Sequence, residues 1–413
     1  MTHIVVIGAG ITGVTTSYKL LQQGYRVSLL DRQCYPAMDT SFANGGQLSA
    51  SNAEVWNHPS TIFQGIKWLF RNDAPLLFNL KPSWHKYSWM AEFVWQTRAY
   101  RANTIETTRL AIAAREHLFE MAQKENIDFD LEKRGILHVY YSAKEFEQAV
   151  KANALLQEAG LERYAVSSEE IRDIEPTLQG RYHAGFYTPS DCTGDIHKFT
   201  SGLAQACLAQ GLQLICNAEI REIKTENNGV RIYWEDCDAR HDGHQSNVVE
   251  ADAVVICAGS GSRALARQLG DRINIYPVKG YSITVNLNDA ESQEAAPWVS
   301  LLDESAKIVT SRLGKNRFRV AGTAELNGMN RDIRNDRIQP LINWTRRHFD
   351  INTRSVVPWA GLRPMTPNMM PRVGPGSRPR VFYNTGHGHL GWTLSGITAQ
   401  MACDAITQAV PPR

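Results

Sequence analysis

The chain has 413 residues, of which 43% are hydrophobic and 21% are charged. This length predicts two or three domains or one large α/β body, and the composition excludes disordered, collagenous and coiled-coil proteins. The formal net charge is only +2, so the chain lacks the basic field that favours a nucleic-acid partner.

The cysteines and the apolar runs indicate the cellular compartment in which the protein resides. Seven cysteines are present, with no CxxC or Cys/His ligand spacing among them, which predicts free thiols in a reducing compartment and no metal site. No apolar run approaches the roughly 18 residues of a membrane span. A first strand at His3 leaves no room for a signal peptide. We expect a cytoplasmic protein, or one held peripherally at the inner face of the cell membrane.

The chain opens with a nucleotide-binding pattern. An apolar run at Ile4–Ile7, the size of a buried parallel strand, precedes a GxGxxG motif of three glycines. Gly8 allows a tight turn, Gly10 lets a pyrophosphate approach the backbone, and Gly13 lets the following helix pack closely on the strand. The N-terminus of that predicted helix presents unbonded N–H groups to the phosphates.

A second strand and an acidic residue complete this pattern. The strand at Arg26–Leu30 is followed by Asp31, 18 residues after Gly13. A carboxylate at this place accepts hydrogen bonds from ribose hydroxyls and disfavours a 2′-phosphate. Strand, glycines, helix, strand and acid in this order predict a dinucleotide site. The alternative is a glycine turn in a plain βαβ unit.

The segment after Asp31 favours FAD over a nicotinamide cofactor. Residues 40–49, TSFANGGQLS, are small and polar, whereas a second nicotinamide-binding half would continue with alternating strands and helices. Such a segment suits the ribityl chain of a flavin, to which it would offer Ser41, Asn44 and backbone N–H groups.

Later segments return to the same sheet. We predict a helix over Asp195–Leu208 with Asp195 as its N-cap. A strand at Leu212–Ile215 is expected to continue at Glu219–Ile223, and a buried strand follows at Ala251–Ala258. These elements supply the second half of the nucleotide-binding sheet, so the domain that contains it is discontinuous.

Alternating patterns from Ile273 to Val320 predict an antiparallel sheet instead. We therefore expect an α/β fold, in which a discontinuous Rossmann-like FAD-binding domain adjoins an α+β substrate domain built on an antiparallel sheet. The FAD-binding domain is assigned to residues 1–51, 191–270 and 355–413, and the substrate domain to residues 52–190 and 271–354.

Residues 52–105 form an aromatic-rich insert in the substrate domain. Five of the ten tryptophans lie here, at positions 56, 68, 84, 89 and 95. This composition is typical of a cover over a substrate site or of a membrane-surface contact. The hydrophobic and basic residues do not separate cleanly onto two faces, which favours a helical insert packed between domains on its aromatic side chains.

The C-terminal part carries the densest group of unusual residues. Residues 359–374, WAGLRPMTPNMMPRVG, predict a loop with Arg363, which is followed by a strand, a glycine-histidine loop and a helix. The glycines around His387 and His389 would bring the backbone close to a planar ligand. The helix after Gly391 would direct its N-terminal dipole at the anionic end of a reduced flavin. The His-x-His pair has no third ligand at metal spacing.

Several of these motifs carry a resemblance to a known family. They are VIGAGITG, SFANGGQLS, IKWLFRNDAPL, PSDCTGD, YPVKGYSIT, LLDESAKIVTSR, WAGLRPMTP and NTGHGHLGWT, and they span nearly the whole chain. On them the sequence resembles the D-amino acid oxidase superfamily of flavoproteins, and within it the bacterial D-amino acid dehydrogenase (small-subunit) family. The resemblance implies noncovalent FAD, and oxidation of D-amino acids to 2-oxo acids and ammonia by hydride transfer from the substrate Cα to flavin N5. It also implies electron delivery to a membrane quinone rather than to oxygen.

The resemblance also assigns roles to single residues. Arg363 matches the superfamily's carboxylate-binding arginine, a role that suits the bidentate geometry of a guanidinium; an interdomain salt bridge is the alternative. Lys307 and His389 are expected beside the substrate, with a solvated lysine and a structural histidine as the alternatives. The residues expected to contact FAD are Gly8, Gly10, Gly13, Asp31, Arg32, Ser41, Asn44, Gly45, Gln47, Leu48, Ile220, Gly259, Gly361, Gly388, Leu390, Gly391, Trp392 and Thr393.

Two departures from the family pattern leave the substrate open. His389 stands where these dehydrogenases usually have threonine, and Ala306 replaces a frequent tyrosine. A D-proline, D-hydroxyproline or other secondary-amine dehydrogenase is therefore an alternative. An alternative of another class is a flavin-binding subunit of a larger complex without independent turnover.

Overall fold

The structure, a computed structural model, describes residues 1–62, 76–79, 81–237 and 247–413. Its strands are β1 His3–Ile7, β2 Arg26–Leu30, β3 Gln47–Leu48, β4 Leu76–Phe78, β5 Ile136–Tyr140, β6 Tyr164–Ser167, β7 Ala184–Thr188, β8 Cys192–Thr193, β9 Gln213–Ile215, β10 Ala218–Thr225, β11 Val230–Asp236, β12 Asn247–Ala251, β13 Ala253–Ile256, β14 Tyr276–Asn286, β15 Ser300–Asp303, β16 Ile308–Leu313, β17 Arg317–Leu326, β18 Val356–Met365, β19 Arg372–Pro375 and β20 Val381–Thr385. Its helices of more than one turn are α1 Ile11–Gln22, α2 Trp84–Trp95, α3 Tyr100–Lys124, α4 Ala143–Glu158, α5 Ser168–Ile174, α6 Ile196–Ala209, α7 Ser262–Gln268, α8 Ala290–Ala295, α9 Asn335–His348 and α10 Gly391–Ala409.

A six-stranded sheet forms the nucleotide-binding part. Its order is β19-β20-β13-β1-β2-β9, and every pairing is parallel except that of β19 with β20. Both faces of the central strands are buried, which explains their continuous apolar runs. Helices α1, α6 and α10 cover one face, and a small sheet of β10, β11 and β12 covers the other. The mixed α/β fold class predicted from the sequence is confirmed.

One predicted strand extension is wrong. Residues 219–223 do not continue β9 but lie in β10, the first strand of the three-stranded antiparallel sheet. Asn217 separates the two strands with a left-handed backbone at φ 56°, a conformation that asparagine tolerates better than most residues. The chain therefore turns off the first sheet at this point instead of running on along it.

A nine-stranded sheet forms the other large layer. Its order is β18-β14-β17-β16-β15-β5-β7-β6, with β4 beside β17. The antiparallel pairing of β14, β16 and β17 fits the alternation seen between residues 273 and 320. Helix α9 packs on this sheet with Ile338, Leu341 and Trp344. One face of the sheet is thereby closed, and the other is left to build a site.

Strand β18 corrects the interpretation of the arginine segment. It pairs with β14 from Val356 to Met365, so Arg363 lies on a strand of the nine-stranded sheet and not in a loop. A ten-residue ladder holds its side chain far more rigidly than a loop would. The predicted FAD-binding segment 355–413 thus begins with a strand of the other sheet, and the domain limits themselves stay a prediction.

The described part of the aromatic insert is mostly helical. Trp89 of α2 is buried, and its indole N–H donates to the Met365 carbonyl at 2.8 Å. Trp84 and Trp95 on the same helix are exposed, at 85% and 61%. Trp68 and most of the IKWLFRNDAPL motif lie outside the described residues. Within the described ranges, no helix is long and apolar enough to cross a membrane.

Candidate active site

A cleft of about 2040 Å³ is lined by residues of both large sheets. Of the residues predicted to bind FAD or to act in catalysis, all but Gly13 and Leu48 line it. Leu48 is buried and pairs through its backbone with Cys192, and Gly13 packs beneath the first glycine of the motif. The structure therefore brings segments that lie far apart in the sequence together around one space.

The glycine motif has the tight geometry expected of it. Gly8 adopts φ +106°, and a Cβ there would lie 2.6 Å from the Cys257 carbonyl oxygen. A Cβ on Gly13 would lie 1.7 Å from the Gly8 carbonyl oxygen. Neither position has room for a side chain. Gly10 is the N-cap of α1 in ordinary extended geometry, so only its approach to a ligand requires a glycine.

Asp31 and Ser41 shape this loop as well as lining the cleft. The Asp31 carboxylate accepts hydrogen bonds from the Ala9 N–H at 2.5 Å and the Gln33 N–H at 2.8 Å. Burial raises the pKa of Asp31, against the lowering effect of these two donors. Ser41 Oγ accepts from the Ile11 N–H at 3.0 Å. Ser41 therefore caps the first turn of α1, a role that the sequence pattern did not indicate.

The segment after Ser41 is fastened to the nine-stranded sheet. Ser311 Oγ donates to the Gly45 carbonyl at 2.7 Å, and Arg319 donates to the Asn44 carbonyl at 3.1 Å. Gln47 donates through Nε2 to Ser300 Oγ at 2.8 Å. This segment, with Asn44, Gly45 and Gln47, is thus held along the wall of the cleft. The sequence predicts that the ribityl chain of the flavin lies beside it.

The cleft has the features that FAD needs. Several buried polar side-chain atoms of the lining residues have no hydrogen-bond partner among the described residues, and Gln47 Oε1 and Trp392 Nε1 are two of them. One is an acceptor and the other a donor, so a flat ligand with both kinds of group would satisfy them. Together with the glycine loop at the start of α1, they fit a dinucleotide with a polar ring system.

Arg363 is a cation of the cleft without a carboxylate partner among the described residues. Its guanidinium lies against the backbone of Gly280, where a Cβ would come within 2.4 Å of Arg363 Cζ. Its Nη1 donates to the Thr323 carbonyl at 3.0 Å. Burial lowers the pKa of Arg363 to about 10, so it stays charged at neutral pH. Among the described residues, no carboxylate lies within 4.0 Å of it. A half-buried cation of this kind is stabilised by an anion from solution.

His389 is held beside Arg363 as a neutral ring. Its Nε2–H donates to the Asn52 carbonyl at 3.0 Å, and its ring stacks on Trp56 at 4.7 Å between centroids. Burial lowers the pKa of His389 to about 4, and the nearby Arg363 adds to this effect. His387 turns away to bond Thr398 Oγ1 at 2.9 Å. The two histidines therefore share no ligand.

We expect His389 to stay neutral across the range in which free histidine titrates. Its pKa near 4 lies below the usual value, so it gains a proton only as the pH falls well into acid. Exchange of His389 for glutamine should therefore leave the shape of the kcat/KM profile unchanged between about pH 6 and 8. Steady-state kinetics on both proteins check this. An inflection near pH 6.5 that the variant loses would contradict it.

Lys307 belongs to a linked set of charged groups. Its Nζ donates to Glu304 Oε2 at 2.5 Å, and Glu304 Oε1 lies 3.6 Å from His138 Nδ1. Burial acts to lower the pKa of Lys307, but Glu304 raises it overall. Burial acts to raise the pKa of Glu304, but Lys307 and His138 lower it well below the usual range. Lys307 therefore lines the cleft with its ammonium group already paired with the Glu304 carboxylate.

One wall of the cleft was not found from the sequence. The segment Ser51–His58 alternates between buried residues and residues that face the cleft, namely Asn52, Glu54, Trp56 and His58. A period of two in SNAEVWNH was the available signal. The prediction of a helical insert over residues 52–105 does not use this alternation, and residues 52–58 are not helical.

The comparisons with known proteins agree with this site. A family model described as FAD dependent oxidoreductase matches residues 3–405. The chain belongs to this family. It is 59% identical over 412 residues to the D-amino acid dehydrogenase 3 of Mesorhizobium japonicum, covering 100% of this chain and 98% of that one. It is 38% identical to the D-amino acid dehydrogenase of Paramagnetospirillum magneticum, covering 98% and 94%.

Solved structures support the same fold. The structure matches glycine oxidase from Geobacillus kaustophilus with a TM-score of 0.74 at 19% identity, over 99% of this chain and 95% of that one. The predicted superfamily, the fold class and the FAD cofactor are thus confirmed, and the chain is an FAD-dependent oxidoreductase.

Proposed function

We propose that this oxidoreductase oxidises D-amino acids to 2-oxo acids and ammonia, with the electrons passing to a quinone or another acceptor other than oxygen. The observation that carries the proposal is Arg363, a half-buried guanidinium in the cleft with no carboxylate partner among the described residues. The full-length relatives named D-amino acid dehydrogenase support the choice of substrate class.

The chain's own residues perform binding and orientation. Arg363 binds the substrate carboxylate, and its position on β18 fixes one end of the substrate relative to the sheet. Neutral His389, stacked on Trp56, adds a flat wall without adding charge. When bound, FAD supplies the hydride acceptor. With a neutral amine and an aligned Cα–H, the reaction requires no side-chain base, so positioning is the main contribution of the protein.

A cyclic imino acid is the second candidate substrate. The stacked pair of Trp56 and His389 forms a flat surface of the cleft, which the small side chain of Ala306 also lines. A saturated ring packs well on such a surface. D-Proline and D-hydroxyproline therefore belong in every substrate panel.

The test is an anaerobic absorbance titration of the purified protein. The oxidised flavin bands should bleach on addition of D-amino acids and remain on addition of the L-enantiomers. Colour should return on addition of a short-chain quinone faster than on admission of air. A flavoprotein that no D-amino or D-imino acid bleaches would contradict the proposal, and would favour a flavin-binding subunit that needs a partner.

A further inference from the structure

Glu54 is a carboxylate of the cleft that the proposed reaction does not use. It lies on the cleft-facing side of the segment Ser51–His58. The neighbouring backbone is fastened on both sides of it: Asp191 accepts from the Ser51 N–H at 3.0 Å, and Thr107 Oγ1 donates to the Ala53 carbonyl at 2.7 Å. The position of Glu54 is therefore fixed before any substrate arrives.

In the part of the chain that the structure describes, a single side-chain donor reaches this carboxylate. The Tyr100 hydroxyl donates to Glu54 Oε1 at 2.6 Å. Among the described residues, no lysine, arginine or histidine lies within 4.0 Å of it. Two carboxylate oxygens have about four acceptor positions, and burial raises the pKa of Glu54 despite the Tyr100 bond. An additional donor from the substrate would relieve this cost of burial.

The surrounding charges indicate what kind of donor fits. Glu54 interacts electrostatically with one negative group, Glu304, and with two positive groups, Lys307 and Arg163, and all four line the cleft. Two negative and two positive groups balance one another. A cationic side chain would add an uncompensated charge beside Lys307 and Arg163, whereas a neutral hydroxyl would not.

We propose that Glu54 determines the side-chain specificity of this enzyme by accepting a hydrogen bond from a hydroxyl group of the substrate. The inference rests on the proposed function, in which Arg363 holds the substrate carboxylate. The preferred substrates are then hydroxylated D-amino or D-imino acids rather than their unsubstituted counterparts. Removal of the acceptor should affect only this preference, because both members of such a pair bind Arg363 equally.

The test compares kcat/KM for pairs that differ by one hydroxyl, D-serine with D-alanine and 4-hydroxy-D-proline with D-proline. The ratio within a pair cancels any general loss of activity. We expect the wild-type protein to favour the hydroxylated member by about 10- to 100-fold, and Glu54→Leu to bring the ratio near one. Glu54→Gln keeps an acceptor oxygen and should lower the ratio only about threefold.

Controls separate the possible outcomes. Glu106, which is exposed on α3 six residues after Tyr100, is the matched control, and Glu106→Leu should leave the ratio unchanged. If both proteins oxidise D-alanine and the ratio of kcat/KM for D-serine to that for D-alanine is the same in wild type and Glu54→Leu, the role of Glu54 is overturned and the proposed function stands. A preference for D-lysine that Glu54→Gln abolishes would overturn the hydroxyl assignment. If Glu54→Leu does not retain FAD, an unchanged ratio in Glu54→Gln overturns the inference. Failure of every D-amino acid to react would overturn the proposed function and this inference with it.

Discussion

Replacement of Arg363 by lysine should raise KM for D-amino acids and lower kcat/KM by about 100-fold, with FAD still bound. A lysine keeps the charge but cannot form two parallel hydrogen bonds to a carboxylate. The lysine ammonium would also lose the close contact with the Gly280 backbone that the planar guanidinium of Arg363 makes. Steady-state kinetics measure the change, and the visible spectrum reports the retained flavin.

Arg221 provides the control for this substitution. It lies on the three-stranded sheet, where it pairs with Glu235 and is 55% exposed. Arg221→Lys should leave KM unchanged. A KM for Arg363→Lys equal to that of wild type would mean that Arg363 does not bind the substrate carboxylate. The substrate would then bind elsewhere in the cleft.

Replacement of Gly13 by alanine should yield a protein without bound FAD and with a lower melting temperature. The added Cβ would lie 1.7 Å from the Gly8 carbonyl oxygen, which is far inside contact distance. Either α1 moves away from β1 or the turn at Gly8 opens, and both changes destroy the loop that faces the phosphates. Flavin absorbance per polypeptide and thermal unfolding measure the two effects.

Two other glycines serve as comparisons. A Cβ on Gly10 would meet only Ser41 Oγ at 3.4 Å, so Gly10→Ala should fold normally and bind FAD more weakly. Gly24 has φ +83° with nothing within 4 Å of a Cβ, so Gly24→Ala should cost about 1 kcal/mol of stability and retain full flavin. Full FAD content in Gly13→Ala would contradict the packing argument.

The elements found from the sequence are those with a local signal. The order of β1, α1 and β2 follows from an apolar run, a glycine motif and a second apolar run that lie within 30 residues. The N-cap of α6 was also found, because Asp195 bonds the backbone of His197 and Lys198 only a few residues away. Such features depend on short-range steric contacts and hydrogen bonds between neighbouring residues, so a short stretch of sequence is enough to predict them.

The elements that were missed depend on distant partners. The glycine and proline residues around Arg363 predict a loop, yet the ladder to β14 makes this segment a strand. The segment Ser51–His58 is held in place by Asp191 and Thr107. Both residues lie too far away in the sequence for a short pattern to predict these contacts. Such long-range contacts decide the substrate side of the cleft, and the sequence alone does not show them.

The pairing order of the six-stranded sheet has a consequence for how the enzyme matures. Strand β1 has β2 on one side and β13 on the other, with Ile4 opposite Ala253, and β20 and α10 come from the last part of the chain. Contacts so distant in sequence form slowly and late. During synthesis the glycine loop emerges early, and the walls formed by β20 and α10 emerge long after it. A chain truncated before residue 381 therefore has no complete place for the cofactor.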